Sequence, residues 1–310
     1  MAIIEAIFPV FAIALIGYIA AYKKLLSAAD IAGMSHFVFY IAIPVLLFNS
    51  LAHMEFTAQL NWQFLFSYYL IAIAIFSLGA YTSRHLFSGS LKEQGVFGLG
   101  CSFSNLMLVG LPIISAGFGD EGLLPLFVLA SFHSAIMFFI ATLLMEREHG
   151  DGSVSGRHIF RQTIKNLSQN PLIIALALGL TFNILNFPLP NLIDNTLNIM
   201  SKATLPCALF VLGASLNAYK IGGYLKEAWT IIGLKMIVQP FLVWLLVFLV
   251  FRLDPLWGAV AVMVAGMPVG INTFIFAQKY QTGIATLSTA ILLSTLFAVF
   301  SQTLLLSILI

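Results

Sequence analysis

The feature that most constrains this chain is a succession of long apolar runs separated by short polar breaks. A membrane-spanning helix needs about 20 mostly apolar residues. Over the whole chain 60% of residues are hydrophobic and 8% are charged, whereas a soluble domain carries about 25% charged residues. The sequence therefore predicts an all-α membrane protein with ten transmembrane helices. Their approximate bounds are 6–22, 31–52, 63–86, 94–117, 123–145, 170–187, 193–217, 227–251, 256–279 and 284–309.

Basic residues are distributed unevenly between the predicted loops. The even-numbered loops hold only Arg252, and Lys202 and Lys235 fall within spans. Because cytoplasmic loops are enriched in Lys and Arg, the odd-numbered loops are predicted to be cytoplasmic and the N- and C-termini to lie outside. The odd-numbered loops hold 11 of the 14 basic residues: Lys23, Lys24, Arg84, Lys92, Arg147, Arg157, Arg161, Lys165, Lys220, Lys226 and Lys279.

The longest polar stretch divides the chain into two sets of five spans. The predicted organisation is a first five-helix repeat at 1–145, a cytoplasmic linker at 146–169 and a second five-helix repeat at 170–310. Residues 156–171 of this region form either a short basic helix on the inner leaflet or a solvated linker. Because five is an odd number, the second set must enter the membrane from the opposite side.

The two halves carry matching proline motifs in the same order. Pro44 in the second span corresponds to Pro206 in the seventh, and Gly110-Leu-Pro112 in the fourth span corresponds to Gly266-Met-Pro268 in the ninth. The two prolines of a half are 68 residues apart in the first half and 62 in the second. Such an agreement predicts two inverted repeats, a build typical of secondary transporters.

The Gly-x-Pro pairs predict two broken helices. Proline lacks an N–H and clashes with the carbonyl four residues earlier, and a nearby glycine lets the backbone unwind. Breaks at Pro112 and Pro268 would place half-helix N-termini, with free N–H groups, near the membrane midplane, where they favour an anion. Asn105 and Asn272 can add side-chain amide donors. The alternative is a pair of proline-kinked helices whose backbone is satisfied by their neighbours.

The sequence resembles the auxin efflux carrier family over essentially its whole length. The resemblance is strongest in two stretches, "SNLMLVGLP" (104–112) and "GMPVGINTFIFAQKYQTGIATLSTAILL" (266–293). Two further stretches, "IPVLLF" (43–48) and "LPCALFVLGASL" (205–216), add to it. This family covers plant auxin exporters and many bacterial permeases.

The resemblance implies an alternating-access carrier of organic anions in a bacterial inner membrane. Spans one, two, six and seven would form a scaffold, the other spans would move, and helices four and nine would cross at Pro112 and Pro268. It also implies small carboxylates such as malonate or malate as substrates, and a homodimer. The expected substrate-binding residues are Ser104, Asn105, Gly110, Pro112, Lys202, Gly266, Pro268 and Asn272.

Acidic residues lie in loops or near span ends. Cation-coupled carriers of similar architecture rely on buried carboxylates, so this distribution disfavours the alternative function, an ion-coupled antiporter or sodium/solute symporter. The sequence also shows no metal-ligand cluster, no cofactor motif, no catalytic set and no basic cluster for nucleic acid. We therefore expect a non-enzymatic protein without cofactor or metal.

Three basic groups within the spans have two interpretations each. His133, about ten residues into the fifth span, either couples protons or hydrogen-bonds neighbouring helices. Lys202 either lies buried against an anionic substrate or extends its charge to the outer interface. Lys235 is expected to extend towards the cytoplasm, with burial as the alternative.

Overall fold

A computed structural model describes residues 2–53, 62–145, 161, 164–165, 168–169, 171–219, 221–222 and 224–309. This part of the chain is helical and contains no strand, only one isolated pair of bridged residues. The α-helices are α1 (Ala2–Tyr22), α2 (Ala28–Phe37), α3 (Ile43–Ala52), α4 (Trp62–Phe87), α5 (Leu91–Ser102), α6 (Leu111–Phe118), α7 (Leu123–Met145), α8 (Pro171–Ile184), α9 (Asn191–Leu216), α10 (Leu225–Gly233), α11 (Gln239–Trp244), α12 (Pro255–Ala265), α13 (Asn272–Tyr280) and α14 (Ile284–Leu309).

Short π-helical turns join several of these helices into longer segments. They lie at Val38–Ala42, Leu106–Gly110, Leu234–Val238 and Leu245–Val250. With them, six helical segments among the described residues are long and apolar enough to cross a membrane. Each of the ten predicted spans coincides with helix to within a few residues, and the fourth and ninth are interrupted. The all-α membrane class is confirmed, whereas ten membrane crossings in two inverted repeats stay a prediction.

Two helices begin at the same kind of polar cap. Ser27 precedes α2, its hydroxyl accepts a hydrogen bond from the Asp30 amide, and its own amide donates to the Asp30 carboxylate at 2.8 Å. The Ser27 hydroxyl also donates to the Asp30 carboxylate at 2.7 Å. Ser90 and Glu93 form the equivalent pair at α5. Such capping boxes satisfy amides that the first helical turn leaves without partners.

The chain divides into two compact units that interleave parts of both sequence halves. Unit 1 comprises Met1–Leu60, Met107–Ser131 and Asn166–Ala218. Unit 2 comprises Asn61–Leu106, Phe132–Lys165 and Tyr219–Ile310. The predicted repeats, 1–145 and 170–310, are continuous in sequence, whereas each compact unit combines segments from both of them. The repeat boundaries stay a prediction. The predicted basic helix at 156–171 lies largely outside the described residues.

Unit 1 is built around close contacts between backbones. A Cβ at Gly17 of α1 would overlap the Phe210 carbonyl of α9, and one at Gly213 of α9 would overlap the Ala14 carbonyl of α1. Glycine at both positions lets the two helices approach, as small residues do in membrane bundles. On another side of the unit, α3 packs against α8, where the rings of Phe48 and Phe182 meet edge to face.

Both helix breaks, at 103–105 and 266–271, lie in unit 2. The fourth span ends its first half-helix at Ser102 and resumes helix at Leu106. The ninth span ends at Ala265 and resumes at Asn272. The prediction of a break in the ninth span at Gly266–Pro268 is confirmed. In the fourth span the predicted position was wrong, because the break precedes Gly110-Leu-Pro112 rather than containing it.

Candidate binding site at the paired helix breaks

The two helix breaks are joined to each other by backbone hydrogen bonds within unit 2. The Asn105 amide donates to the Pro268 carbonyl at 3.0 Å, and the Gly270 amide donates to the Phe103 carbonyl at 2.9 Å. Ser104 and Val269 thereby form an isolated antiparallel bridge. A membrane interior cannot satisfy the backbone groups that a break releases, so these groups must find partners in the protein. The bridge makes each break the partner of the other.

Side chains satisfy the carbonyls where the first half-helices end. The Lys235 ammonium donates to the Ala265 carbonyl, and the Gln302 amide donates to the Gly266 carbonyl. Lys235 is fully buried. The expectation that Lys235 extends to the cytoplasm is therefore wrong, because the carbonyl end of α12 attracts the cation into the unit.

Amides in the two breaks are also occupied. The Ser104 amide donates to His133 Nε2 at 3.0 Å, and the Val269 amide donates to the Ser294 hydroxyl at 3.1 Å. With the bridge, this accounts for the amides of residues 104, 105, 269 and 270. The prediction that such amides are free for an anion is wrong for these four, because an unpaired buried amide is costly. What the breaks retain is the partial positive charge of the half-helix N-termini.

The Ser104 side chain ties its own break to the end of α12. Its hydroxyl donates to the Val264 carbonyl at 2.8 Å and lies 3.2 Å from the Tyr68 hydroxyl. The residue is almost completely buried. Ser104 therefore fixes the position of the backbone that carries Asn105.

Asn105 differs from its neighbours because its side-chain amide nitrogen has no partner. The residue is 6% exposed and Nδ2 is buried without a hydrogen bond. It directly precedes the helical segment that starts at Leu106. A buried donor that the protein leaves unpaired is costly, and a ligand acceptor can relieve that cost. The chemistry of the group favours a carbonyl or carboxylate oxygen.

The other predicted site residues fall into two sets. Gly266 and Pro268 lie in the second break, and Asn272 is the partly buried first residue of α13. Gly110 and Pro112 lie in unit 1, buried within a continuous helical segment rather than at a break.

Lys202 also belongs to unit 1. Its side chain is exposed on α9. Of the two interpretations of Lys202, this exposure favours the one in which the charge extends to the interface.

Sequence reasoning missed the residues that satisfy the broken backbone. Gln239 donates weakly to the Ser102 carbonyl at 3.4 Å and shares this role with Lys235 and Gln302. The available signal was a polar group inside an apolar span, since amides there are rare unless they bond to something. Among the described side chains, no carboxylate is buried and no group of His, Cys, Asp or Glu could hold a metal ion.

Comparisons of the sequence with known proteins find similarity to membrane transport proteins. The model of a protein family described as "Membrane transport protein" matches residues 2–306. A protein of Rhizobium meliloti (strain 1021) named "Putative malonate transporter" is 23% identical over 96% of this chain and 92% of its own length. "Auxin efflux carrier component 8" of Arabidopsis thaliana is 24% identical over 96% of this chain and 94% of that protein.

A third relative is much longer than this chain. The "Lysosomal cholesterol signaling protein" of Mus musculus is 24% identical over 94% of this chain, and the match covers 35% of that protein. The similarity therefore extends over nearly the whole of this sequence and over a part of the mouse protein.

Proposed function

Because the chain belongs to the membrane transport protein family, we propose that this membrane transporter carries small organic anions by alternating access. The observation that supports this most is the pair of bridged helix breaks with one unpaired amide, that of Asn105, beside them. The substrate carboxylate would accept a hydrogen bond from Asn105 and lie near the electropositive start of the helical segment at Leu106.

The second break would complete the site from the other side of the bridge. Asn272 opens α13, so its side-chain amide and the N-terminal end of that helix would face the same carboxylate or a second one. A dicarboxylate suits two electropositive helix ends. The name of the Rhizobium meliloti relative is compatible with this class and makes malonate the first substrate to test.

The proposal keeps the membrane topology that the sequence predicts. Ten crossings in two inverted five-helix repeats would place the breaks near the midplane, with both termini outside a bacterial inner membrane. Alternation would come from movement of one set of helices against the other.

Uptake by the purified protein in proteoliposomes tests the proposal. Radiolabelled malonate is the tracer, and unlabelled malate, acetate, a neutral diamide and an amine are the competitors. We expect the carboxylates to compete and the neutral and cationic compounds to be ineffective. A carrier that prefers the amine or the diamide would contradict the proposal.

The same vesicles test the ion-coupled alternative. Uptake is measured with and without an imposed sodium gradient and an imposed pH gradient. The absence of a buried carboxylate among the described residues leads us to expect no requirement for sodium. A strict requirement for sodium would instead favour a sodium/solute symporter.

A further inference from the structure

His133 contacts the first break directly, although it lies on another helix. Its Nε2 atom is 3.0 Å from the Ser104 amide nitrogen, and both residues are almost completely buried. The Ser104 amide lies just beyond the end of α5, so it is one of the groups that the break releases. His133 supplies the acceptor that the interrupted helix no longer provides.

The direction of this hydrogen bond fixes the state of the imidazole. A backbone amide can only donate, so Nε2 must accept with its lone pair and cannot carry a proton. In a neutral ring the proton is then on Nδ1, which has no partner in the part of the chain that the structure describes. A doubly protonated ring would place an N–H against the Ser104 N–H and break the contact.

The surroundings of the ring also disfavour a second proton. The rings of Phe103, Tyr68 and Tyr69 pack around it with centroid distances of 4.6, 5.8 and 6.3 Å. The ionisable group that acts on the ring is Lys235, a basic side chain, which cannot pair with an imidazolium as a carboxylate would. No buried carboxylate that could stabilise an imidazolium lies among the described side chains.

The held amide belongs to the residue before Asn105. The Ser104 amide is fixed by His133, the Ser104 hydroxyl by the Val264 carbonyl, and the next amide by the Pro268 carbonyl. The backbone that leads into the Asn105 Cα is therefore constrained by three hydrogen bonds, which limits where the side-chain amide can point. Loss of the hydrogen bond from the Ser104 amide to His133 would let the backbone before Asn105 shift.

We propose that His133 is a positioning residue: as a permanently neutral acceptor for the Ser104 amide it orients the Asn105 side chain, and it does not carry protons. This inference rests on the proposed function, since it concerns the same substrate site. It predicts a role in substrate affinity that does not change with the pH gradient.

Two variants of His133 test the proposal. His133→Leu removes the acceptor but keeps an apolar bulk, whereas His133→Gln can place its Oε1 atom where Nε2 lies. For malonate uptake we expect KM to rise on the order of tenfold in the Leu variant, with kcat changed less than about threefold. The Gln variant should recover most of the affinity. His85→Leu, at an exposed histidine on α4, is the matched control and should behave like the wild type.

A double variant shows whether His133 acts through Asn105. If it does, His133→Leu should add little to the loss of affinity already caused by Asn105→Ala, because the group being positioned is gone. Losses that multiply would show that His133 acts elsewhere and would overturn the proposal. A response to the pH gradient that disappears in the Gln variant would overturn it too, since that result identifies a proton carrier.

Hydrogen exchange provides a readout that needs no substrate. Peptides that include Ser104 and Asn105 should exchange faster in His133→Leu than in the wild type and should be protected again in His133→Gln. Unchanged exchange in the Leu variant would refute the positioning role. If exchange responds as expected but Asn105→Ala transports normally, the proposed substrate site fails while the contact between His133 and the break stands.

Discussion

The same three-residue motif, Gly-x-Pro, adopts a different backbone conformation in each half of this protein. At Gly266-Met-Pro268 the helix stops and the backbone opens, whereas Gly110-Leu-Pro112 lies inside a continuous helical segment. The π-helical turn at Leu106–Gly110 precedes Pro112, and such a turn accommodates a residue that cannot donate its amide. Proline therefore permits a break without deciding where it occurs.

Polar partners decide the position of each break. The carbonyl of Ala265 has Lys235 and the carbonyl of Gly266 has Gln302, and no comparable pair is found beside Pro112 among the described residues. The first break instead lies where His133 can accept the Ser104 amide. Since a membrane offers no solvent for free backbone groups, the chain opens where its own side chains can replace the lost helical bonds.

The largest effect is expected from filling the space between the two breaks. A Cβ at Gly270 would lie 2.6 Å from the Phe103 ring and 3.0 Å from the Ser104 carbonyl oxygen. Gly270→Val should lower the free energy of unfolding in detergent by about 3 kcal/mol, because the two bridged backbone segments must separate. Gly233→Val is the control, since a Cβ there meets nothing within 4 Å. Equal stability of the two variants would mean that the bridge is not tight.

An intermediate effect is expected from removing the glutamines that donate to the carbonyls at the two breaks. Gln302→Leu removes the donor to the Gly266 carbonyl and should cost about 2 kcal/mol of unfolding free energy. Gln239→Leu removes only the 3.4 Å contact with the Ser102 carbonyl and should cost less than about 1 kcal/mol. Both side chains are fully buried, so the pair controls for size. A larger loss of unfolding free energy in Gln239→Leu than in Gln302→Leu would show that the first break depends more on its glutamine than the second does.

The smallest effect is expected at the prolines themselves. Pro268→Ala should destabilise the protein by about 0.4–1 kcal/mol, because it loosens a segment whose shape the proline fixes. For Pro112→Ala we expect a change within about 1 kcal/mol and no loss of transport, since the residue already lies in helix. Thermal and denaturant unfolding of both variants in one detergent measures the difference. A larger loss for Pro112→Ala would indicate that this proline, too, maintains a special backbone.

Much of the helical organisation could be predicted from apolar run length alone. The bounds of α4 and α14 agree with the predicted spans within two residues, because lipid requires about 20 apolar residues and polar loops end them. The existence of two breaks also followed from glycine and proline in apolar sequence. The position of the first break did not, since it depends on His133, a residue 29 positions away from Ser104 in the chain.

The candidate site was predictable only in part for the same reason. Asn105 could be identified as a polar residue beside a suspected break, and the structure leaves its amide unpaired. Lys235 could not be placed, because a long cationic side chain in a span can reach either water or a buried carbonyl. The position of the Lys235 side chain depends on where α12 ends, because it donates to the carbonyl of the last residue, Ala265. The end of α12 is in turn set by packing in the folded unit.

The most direct test of the central claim is malonate uptake by Asn105→Asp in proteoliposomes. This change keeps the size of the side chain but replaces the donor amide with a carboxylate, which repels an anion. We expect uptake to fall to background, while the matched control Asn198→Asp, in unit 1, transports malonate normally with both variants folded. Uptake by Asn105→Asp at the wild-type rate would contradict the claim that the paired breaks hold the substrate carboxylate at Asn105.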